Sequence, residues 1–473
     1  MVAAVNMGFS DFETLIRLLH FTSSALIEYK QEILHASLLA FIGLVGMLIP
    51  PYSKVNFHVK TIASLHLLPI ILTSTVLYQR GGLGTNALPD YNNIISFVII
   101  WGIKNNVNNN YIARKPVTIM PSENSIIDNI VVIVDESIRG DYLDLNSSTG
   151  VKTNFPPDKY INFGIASSTA NCSDSSNVSL RYGATRSNHL NDINTNPSIW
   201  SYAKKAGFST IYIDGQEADG KLVNMMSEVE LADINHFIQL NENIVPAKRD
   251  VLLANKLKNK LLSPGKKFIY INKMGAHFPY EGKYPPDQVI YKPTMTQSYF
   301  GNKIDAGADL AKKPKLENMN ERILSINSYR NAIHWNVTHF FDILLTNLNL
   351  DKTLIIYTSD HGQDFHEDGR LGWRTHCRTH NASWNEGIVP FVTLTSNNEL
   401  KNKLKRASKI NYNNVSLFNL FPSLLELLGY SIPDIKKSGH VENSIFTKLP
   451  SGNQQFISYF FTRFGKEAIH NSK

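Results

Sequence analysis

The sequence predicts an α/β domain built around a central mixed, mainly parallel sheet flanked by helices, preceded by an N-terminal helical membrane anchor. Three observations carry that prediction. Short, wholly apolar, β-branched runs recur after residue 126, each followed at once by polar residues. Stretches with helical spacing separate those runs, and such alternation sets parallel strands side by side through helical crossovers. Long apolar runs free of charge gather instead before residue 105.

The anchor rests on two of those runs. Ile33–Pro50 (ILHASLLAFIGLVGMLIP) and Ile62–Tyr78 (IASLHLLPIILTSTVLY) contain no Asp, Glu, Lys or Arg. Each lies near the roughly 17–25 residues that cross a hydrocarbon core. The polar turn between them, PPYSKVNFHVK, makes a helical hairpin the natural reading, with a pair of buried core helices as its competitor. Lys54 and Lys60 favour a cytoplasmic turn, which puts everything after Gln79 outside the cytoplasm. Residues 1–32 then also lie outside, and Phe12, Leu15, Ile16, Leu18, Leu19 and Phe21 read as an interfacial amphipathic helix. A missing upstream membrane region, or a start codon placed too late, would account for that outer N-terminus. No signal peptide with a cleavage site is visible. Ile94–Ile103 (IISFVIIWGI) is too short to span. The division expected is an anchor at 1–79, a Gly-, Asn- and Pro-rich connector at 80–125, and a catalytic domain at 126–473.

In the catalytic region the elements follow in order. Ile130–Val134 (IVVIV) reads as a strand buried on both faces. Ser198–Ala206 reads as a helix, followed by Gly207 and the strand Thr210–Ile213. Phe268–Ile271 and Leu354–Tyr357 are further strands, Ile323–Leu348 is a long helix, and Val415–Leu428 is another whose Pro422 marks a break or a first turn.

Bulk properties limit the functions. The 473 residues carry 43% hydrophobic and 18% charged residues, which excludes a disordered chain. The net charge of +7 suits an anionic membrane surface or a phosphate-rich substrate. No helix-turn-helix, zinc-finger or RNP pattern accompanies it, so no nucleic-acid partner is expected. Cys172 and Cys377 are the only cysteines, too few for a disulfide framework.

Ligands of open parallel sheets bind beyond the C-terminal ends of the strands, and the polar clusters fall there. Asp135, Glu136, Ser137 and Arg139 follow the first strand, where the alternative to cation binding is ordinary helix capping. Asp360, His361 and Gly362 follow another, offering adjacent oxygen and nitrogen ligands and a tight turn. Gly275, Ala276 and His277 follow a third, and His376 lies in the run RTHCRTH. The stretch Ser167–Arg181 supplies hydroxyls. A serine becomes nucleophilic near neutral pH only beside a base or a metal; otherwise this stretch is a polar loop.

Together these motifs resemble the sulfatase-fold phosphoethanolamine transferases of the alkaline phosphatase superfamily, which modify lipid A and other envelope glycans. The lipoteichoic-acid synthases are a more distant likeness. The resemblance runs from Asn129 to Leu428 and implies an alkaline-phosphatase/sulfatase-like sheet. It implies that Glu136, Asp360 and His361 bind zinc together with a nucleophilic hydroxyl. Aligning Cys172 with the family's cysteine puts Ser176 at the nucleophile position, with Ser175 and Ser173 as fallbacks. His277, His376 and Lys221 would bind substrate. The resemblance further implies one tightly bound Zn2+, with a second left open, and a phospholipid donor such as phosphatidylethanolamine. The acceptor would be an envelope glycan or lipid A-type molecule, at the bacterial inner membrane with the catalytic domain facing the periplasm. Serine for threonine, a single cysteine pair and an anchor shorter than five spans depart from the family pattern. If the loops bearing Cys172 and Cys377 converge on the metal, those two can form a disulfide. Other readings on the same fold are a phosphoglycerol transferase and a sulfatase-like phosphodiesterase. A non-catalytic membrane scaffold or lipid sensor is the non-enzymatic alternative. An arylsulfatase is disfavoured, because no Cys/Ser-x-Pro/Ala-x-Arg motif surrounds Ser176 or Cys172.

Overall fold

The computed structural model describes residues 67–79, 90–107, 114–295, 318–370, 375–378, 382–458 and 468–471, with the single positions 38, 41 and 316. These fall into two compact units that divide between Tyr111 and Ile112.

The first unit contains the helices Leu67–Gln79 and Asp90–Val107. Ser74 Oγ donates to Ser96 Oγ at 3.0 Å, joining the two helices through small polar residues. Leu77, Phe97 and Ile100 are buried, whereas Leu68, Ile71, Leu72, Val98 and Trp101 are exposed. The run Ile94–Ile103, expected to lie in a connector, is thus the middle of an 18-residue helix. Among the described residues no helix is long and apolar enough to cross a membrane. Nearly all of Ile33–Pro50, and residues 1–32, lie outside the described residues.

The second unit is built on a seven-stranded sheet. Its strands are β1 (Asn129–Asp135), β2 (Tyr160–Ser167), β3 (Ser209–Asp214), β4 (His236–Gln239), β5 (Lys267–Asn272), β6 (Thr353–Ser359) and β7 (Ile388–Leu394). The spatial order is β2-β7-β6-β1-β5-β3-β4. The run from β6 to β4 is parallel, and β7 is antiparallel to both β6 and β2. The expected mixed, mainly parallel sheet is therefore present.

β1 lies at its centre with helices against both faces, which explains its uninterrupted apolar sequence. Ile130, Val132 and Val134 enter one core with Trp200, Phe268 and Leu424. Val131 and Ile133 enter the other with Leu253, Tyr329 and Phe341. Each such side chain contributes about 2 kcal/mol of burial free energy, so a polar substitution on either face of β1 would break the sheet. β1, β5 and β6 are in register, and their last residues Asp135, Asn272 and Ser359 end on the same edge. The polar clusters begin there.

Two helical expectations change in detail. Ile323–Leu348 is a helix interrupted in its middle: Met319–Ile333, a π-helical turn His334–His339, then Phe340–Leu345. Pro422 sits in the first turn of Leu420–Leu427, after a 3-10 turn at Leu417–Asn419, where its missing N–H breaks no helical bond.

Candidate metal centre and active site

Glu136 follows β1 directly, and Asp360 and His361 follow β6 directly, so the pairing of these neighbouring strands brings the three together. Their ligand atoms all lie within 4.8 Å of one another, and all three residues are buried. His361 Nε2 is 3.2 Å from Glu136 Oε1 and 3.8 Å from Asp360 Oδ2.

The surroundings hold each group in orientation. His361 Nδ1 faces the Gly362 carbonyl at 2.7 Å, which directs Nε2 toward the carboxylates. Asp360 Oδ1 accepts from the backbone N–H of Ser137 at 3.0 Å and of His361 at 2.8 Å. Glu136 accepts from Ser137 Oγ at 2.8 Å and from Gln216 Nε2 at 2.9 Å. Ser137 takes a left-handed backbone, φ 63°, a strain tolerated where the surroundings over-determine it. Gly362 is obligatory by contact: a Cβ there would stand 2.2 Å from the Asn385 carbonyl oxygen.

Charge decides what the cluster can hold. Burial and the neighbouring Glu136 push the Asp360 carboxyl well above its usual range. Burial opposes ionisation of Glu136 too, but hydrogen bonding and the charge of His361 hold its carboxyl well below the usual range. Against burial, Asp360 and Glu136 raise His361 to about 9. Two acids and an imidazole thus share protons in a dry pocket. None of the described lysines or arginines forms an ion pair with Glu136 or Asp360. A divalent cation would displace those protons and meet the charge. Two carboxylates, one imidazole and a fourth oxygen make a donor set that fits tetrahedral zinc.

The serine of the hydroxyl-rich stretch whose Oγ lies within reach of both Glu136 and His361 is Ser173, one of the two fallbacks, rather than Ser176. From Ser173 onward the hydroxyl-rich stretch is no loop. Ser173–Tyr182 forms a helix that begins after Cys172 and ends at Gly183 in the left-handed conformation, φ 60°. Ser173 stands at its first turn, with Oγ 3.2 Å from both Glu136 carboxylate oxygens and 3.1 Å from His361 Nε2. Ser176 lies one turn deeper, fully buried, with Oγ 3.1 Å from Thr169 Oγ1. The alignment that selected Ser176 could not include helical phase. Asn177, one turn after Ser173, points Nδ2 toward Asp360 Oδ2 at 3.5 Å.

The remaining candidates divide. The His376 ring stacks on His361 with centroids 4.3 Å apart, and its Nδ1 is 3.1 Å from Gln363 Oε1. Gln363 Nε2 in turn donates to Tyr280 Oη at 2.7 Å. His277 is half-buried, with Nδ1 2.6 Å from the Phe278 carbonyl oxygen, and its charge contributes to the lowered pKa of Glu136. Lys221 is about half exposed, its Nζ 3.9 Å from Glu242, and no contact joins it to the three ligands. The position after β3 that does reach them is Gln216, which the sequence reading passed over in favour of Lys221. The signal for it was the rule already used for Glu136 and Asp360, a polar side chain just past a strand end.

Cys172 and Cys377 form a disulfide across 205 residues. It ties the start of the Ser173 helix to the segment carrying His376. Cys377 N also donates to the Asn171 carbonyl at 2.8 Å. Asn171 Nδ2 donates to buried Glu386 at 2.7 Å.

Residues 128–430, more than half of the chain, match the sulfatase family. The Kdo(2)-lipid A phosphoethanolamine 7''-transferase of Escherichia coli K12 is 24% identical over 69% of this chain and 55% of that protein. The enzyme of the same name from Salmonella typhimurium is 25% identical over 42% of this chain and 33% of its own length. The chain thus spans about half or less of the curated relatives it matches. Among solved structures, lipooligosaccharide phosphoethanolamine transferase A from Neisseria meningitidis superposes with TM-score 0.57 at 15% identity, covering 88% of this chain and 78% of that one. The C-terminal periplasmic domain of EcEptC from Escherichia coli, in complex with Zn, gives TM-score 0.54 at 18% identity, covering 76% and 96%. With the sheet order, the acids at the tips of β1 and β6 and this match over most of the second unit, the chain belongs to the sulfatase family and is similar within it to the phosphoethanolamine transferases.

Proposed function

We propose that this chain is a zinc-dependent transferase that moves a phosphoethanolamine group from a membrane phospholipid to an envelope glycan or lipid A-type acceptor through a phospho-serine intermediate on Ser173. One observation carries the reading: Ser173 Oγ lies 3.1–3.2 Å from His361 Nε2 and both oxygens of Glu136, beside Asp360. The head group and the acceptor are inferred from the names of the relatives.

Glu136, Asp360, His361 and Ser173 would hold the ion. Bound zinc would lower the pKa of the serine hydroxyl and neutralise charge on the phosphoryl oxygens. Ser173 begins a ten-residue helix, so the positive end of its dipole would favour the negative charge of a phosphoryl group bound there. In the first half-reaction the Ser173 Oγ–phosphorus bond forms as the phosphorus–oxygen bond to diacylglycerol breaks. The Ser173 hydroxyl proton would be released to solvent as the ion binds, since the Glu136 and His361 atoms around it would then serve the ion, and His376 or His277 supplies a proton to the departing alkoxide. In the second half-reaction an acceptor oxygen attacks the phosphorus, the same histidines take its proton, and the Ser173 oxygen leaves. The exposed apolar residues of the helices Leu67–Gln79 and Asp90–Val107 support a membrane location for the first unit, and a periplasmic site is inferred from the name of the EcEptC domain.

The test compares Ser173→Ala and Ser176→Ala with the unaltered chain on fluorescent phosphatidylethanolamine, reading diacylglycerol release. Removal of the nucleophile lowers release by about a thousandfold or more, whereas Ser176→Ala retains most of it. Equal release by the Ser173→Ala variant and the unaltered chain ends the proposal.

A further inference from the structure

Directly behind the ligand cluster lies a second buried group of charges that the proposed chemistry does not use. Lys273 is fully buried just past β5, with Nζ 2.6 Å from Asp135 Oδ2 and 3.6 Å from Asp250 Oδ2. Its third partner is the backbone carbonyl of Asn336, inside the π-helical turn His334–His339. A π-turn widens the backbone ring, and such turns recur at functional positions. Here the widened turn presents its carbonyl to a buried ammonium. The Asn336 side chain continues the connection, its Nδ2 donating to the carbonyls of Gly275 at 2.8 Å and Lys283 at 3.0 Å.

Asp135 links this group to the ligands on its other side. Its Oδ1 accepts from the backbone N–H of Glu136 at 3.1 Å, and its carbonyl accepts from the backbone N–H of Asp360 at 2.9 Å. Tyr357 Oη donates to Oδ2 at 3.0 Å. Asp250 accepts from the N–H groups of Met274 and Gly275, both at 3.0 Å. Gly275 presses so closely that a Cβ would stand 2.4 Å from Asp135 Oδ1. The carboxylate of Asp135 therefore has one oxygen on a ligand backbone and the other on Lys273.

We propose that Lys273 is a positioning residue, whose buried ammonium anchors Asp135 between the π-helical turn and the strand tips and so sets the separation of Glu136 and Asp360 for the cation. This rests on the reading that those residues bind zinc. Loss of the ammonium leaves Asp135 and Asp250 facing each other without a counter-charge. The carboxylates then separate, and the Glu136 and Asp360 backbones move with them.

The experiment measures zinc alone binding to the full-length, detergent-solubilised chain by chelator competition at 25 °C, together with the visible spectrum of the Co2+-substituted protein and the melting temperature of the metal-free form. The unaltered chain binds zinc at the site, and Lys273→Met weakens that affinity by about tenfold or more, as expected for a group supporting ligands from behind, with a changed cobalt spectrum. Tyr357→Phe removes one hydrogen bond to Asp135 while keeping its shape, and produces a smaller shift of the same sign. Should Lys273→Met fail to fold, Tyr357→Phe decides the matter. A lower melting temperature with unchanged zinc affinity and cobalt spectrum gives Lys273 a purely structural role and overturns the proposal. If the unaltered chain fails to bind zinc, the metal reading itself is lost, a result distinct from the other.

Discussion

Two buried charge clusters meet back to back at the tip of β1, one containing Asp135 and the other Glu136. Behind the strand tip, Asp135 and Asp250 share Lys273, and the remaining carboxylate oxygens accept backbone or tyrosine hydrogen bonds. In front, Glu136 and Asp360 meet, among the described residues, His361, neutral donors and the Ser173 hydroxyl, with the charge of His277 also acting on Glu136. Burial pushes Asp135 to about 6 even with Lys273 opposing it, a measure of how dry this region is. The rear cluster carries its own cation. The front one, among the described residues, has no lysine or arginine and balances its acids with protons and His361, which is how a structural ion cluster differs from a site that could take its cation from solution.

Three measurements sharpen that contrast. The largest effect concerns the front cluster. Zinc added at a thousandfold excess over its dissociation constant stabilises the native state by about 4 kcal/mol, visible as a raised melting temperature. Asp360→Asn should abolish the rise and leave the metal-free protein at least as stable, because it removes one of two adjacent buried acids. A metal-induced rise that survives in Asp360→Asn would contradict the ligand assignment.

The rear cluster should behave oppositely. Asp250→Ala strips the acceptor from two backbone N–H groups and one partner from Lys273. Breaking buried charge contacts of this kind costs about 3–5 kcal/mol, which urea denaturation of the metal-free protein will register. A loss below about 1 kcal/mol, the scale of an exposed pair, would remove the rear cluster from the stability argument.

The smallest effect uses histidines away from both clusters. Burial lowers His189 to about 3 and His440 to about 4, from an ordinary 6.5. Between pH 6.5 and 4 the unfolded chain therefore binds more protons than the native one. The stability each neutral imidazole contributes is complete above pH 6.5 and declines as pH falls, by about 1.4 kcal/mol per pH unit per histidine. Urea midpoints at pH 7.5 and pH 5.5 check this, with His440→Gln as comparison. A variant with the same pH dependence as the unaltered chain would show that His440 is protonated in the native state.

Legibility in the sequence followed burial. β1, β3, β5 and β6 were readable because strands covered on both faces need continuous apolar sequence, and Glu136, Asp360 and His361 were readable because they follow such strands. β7 was not. Ile388–Leu394 contains Pro390, which sequence rules count against an interior strand. It is accommodated opposite Ile165, at a register shift in β2 between Asn162 and Ile165. β4 has four residues, too few for a periodic signal. The helix Ser173–Tyr182 (SDSSNVSLRY) is rich in residues that favour turns over helix interiors. Its buried polar groups find tertiary partners instead, such as Ser179 with His189 and Arg181 with Glu230.

The sequence by itself determined the parallel core and the types of ligand at its edge, because both depend on residues adjacent along the chain. Only the tertiary structure decided which hydroxyl stands beside Glu136 and His361. That choice depends on the starting point and phase of one polar helix, which are held by a disulfide to Cys377, 205 residues away, and by a packed Thr169 that occupies Ser176. Local propensity carries no information about the helical phase, and so Ser173, a fallback in the sequence, comes ahead of Ser176 only once the chain is folded.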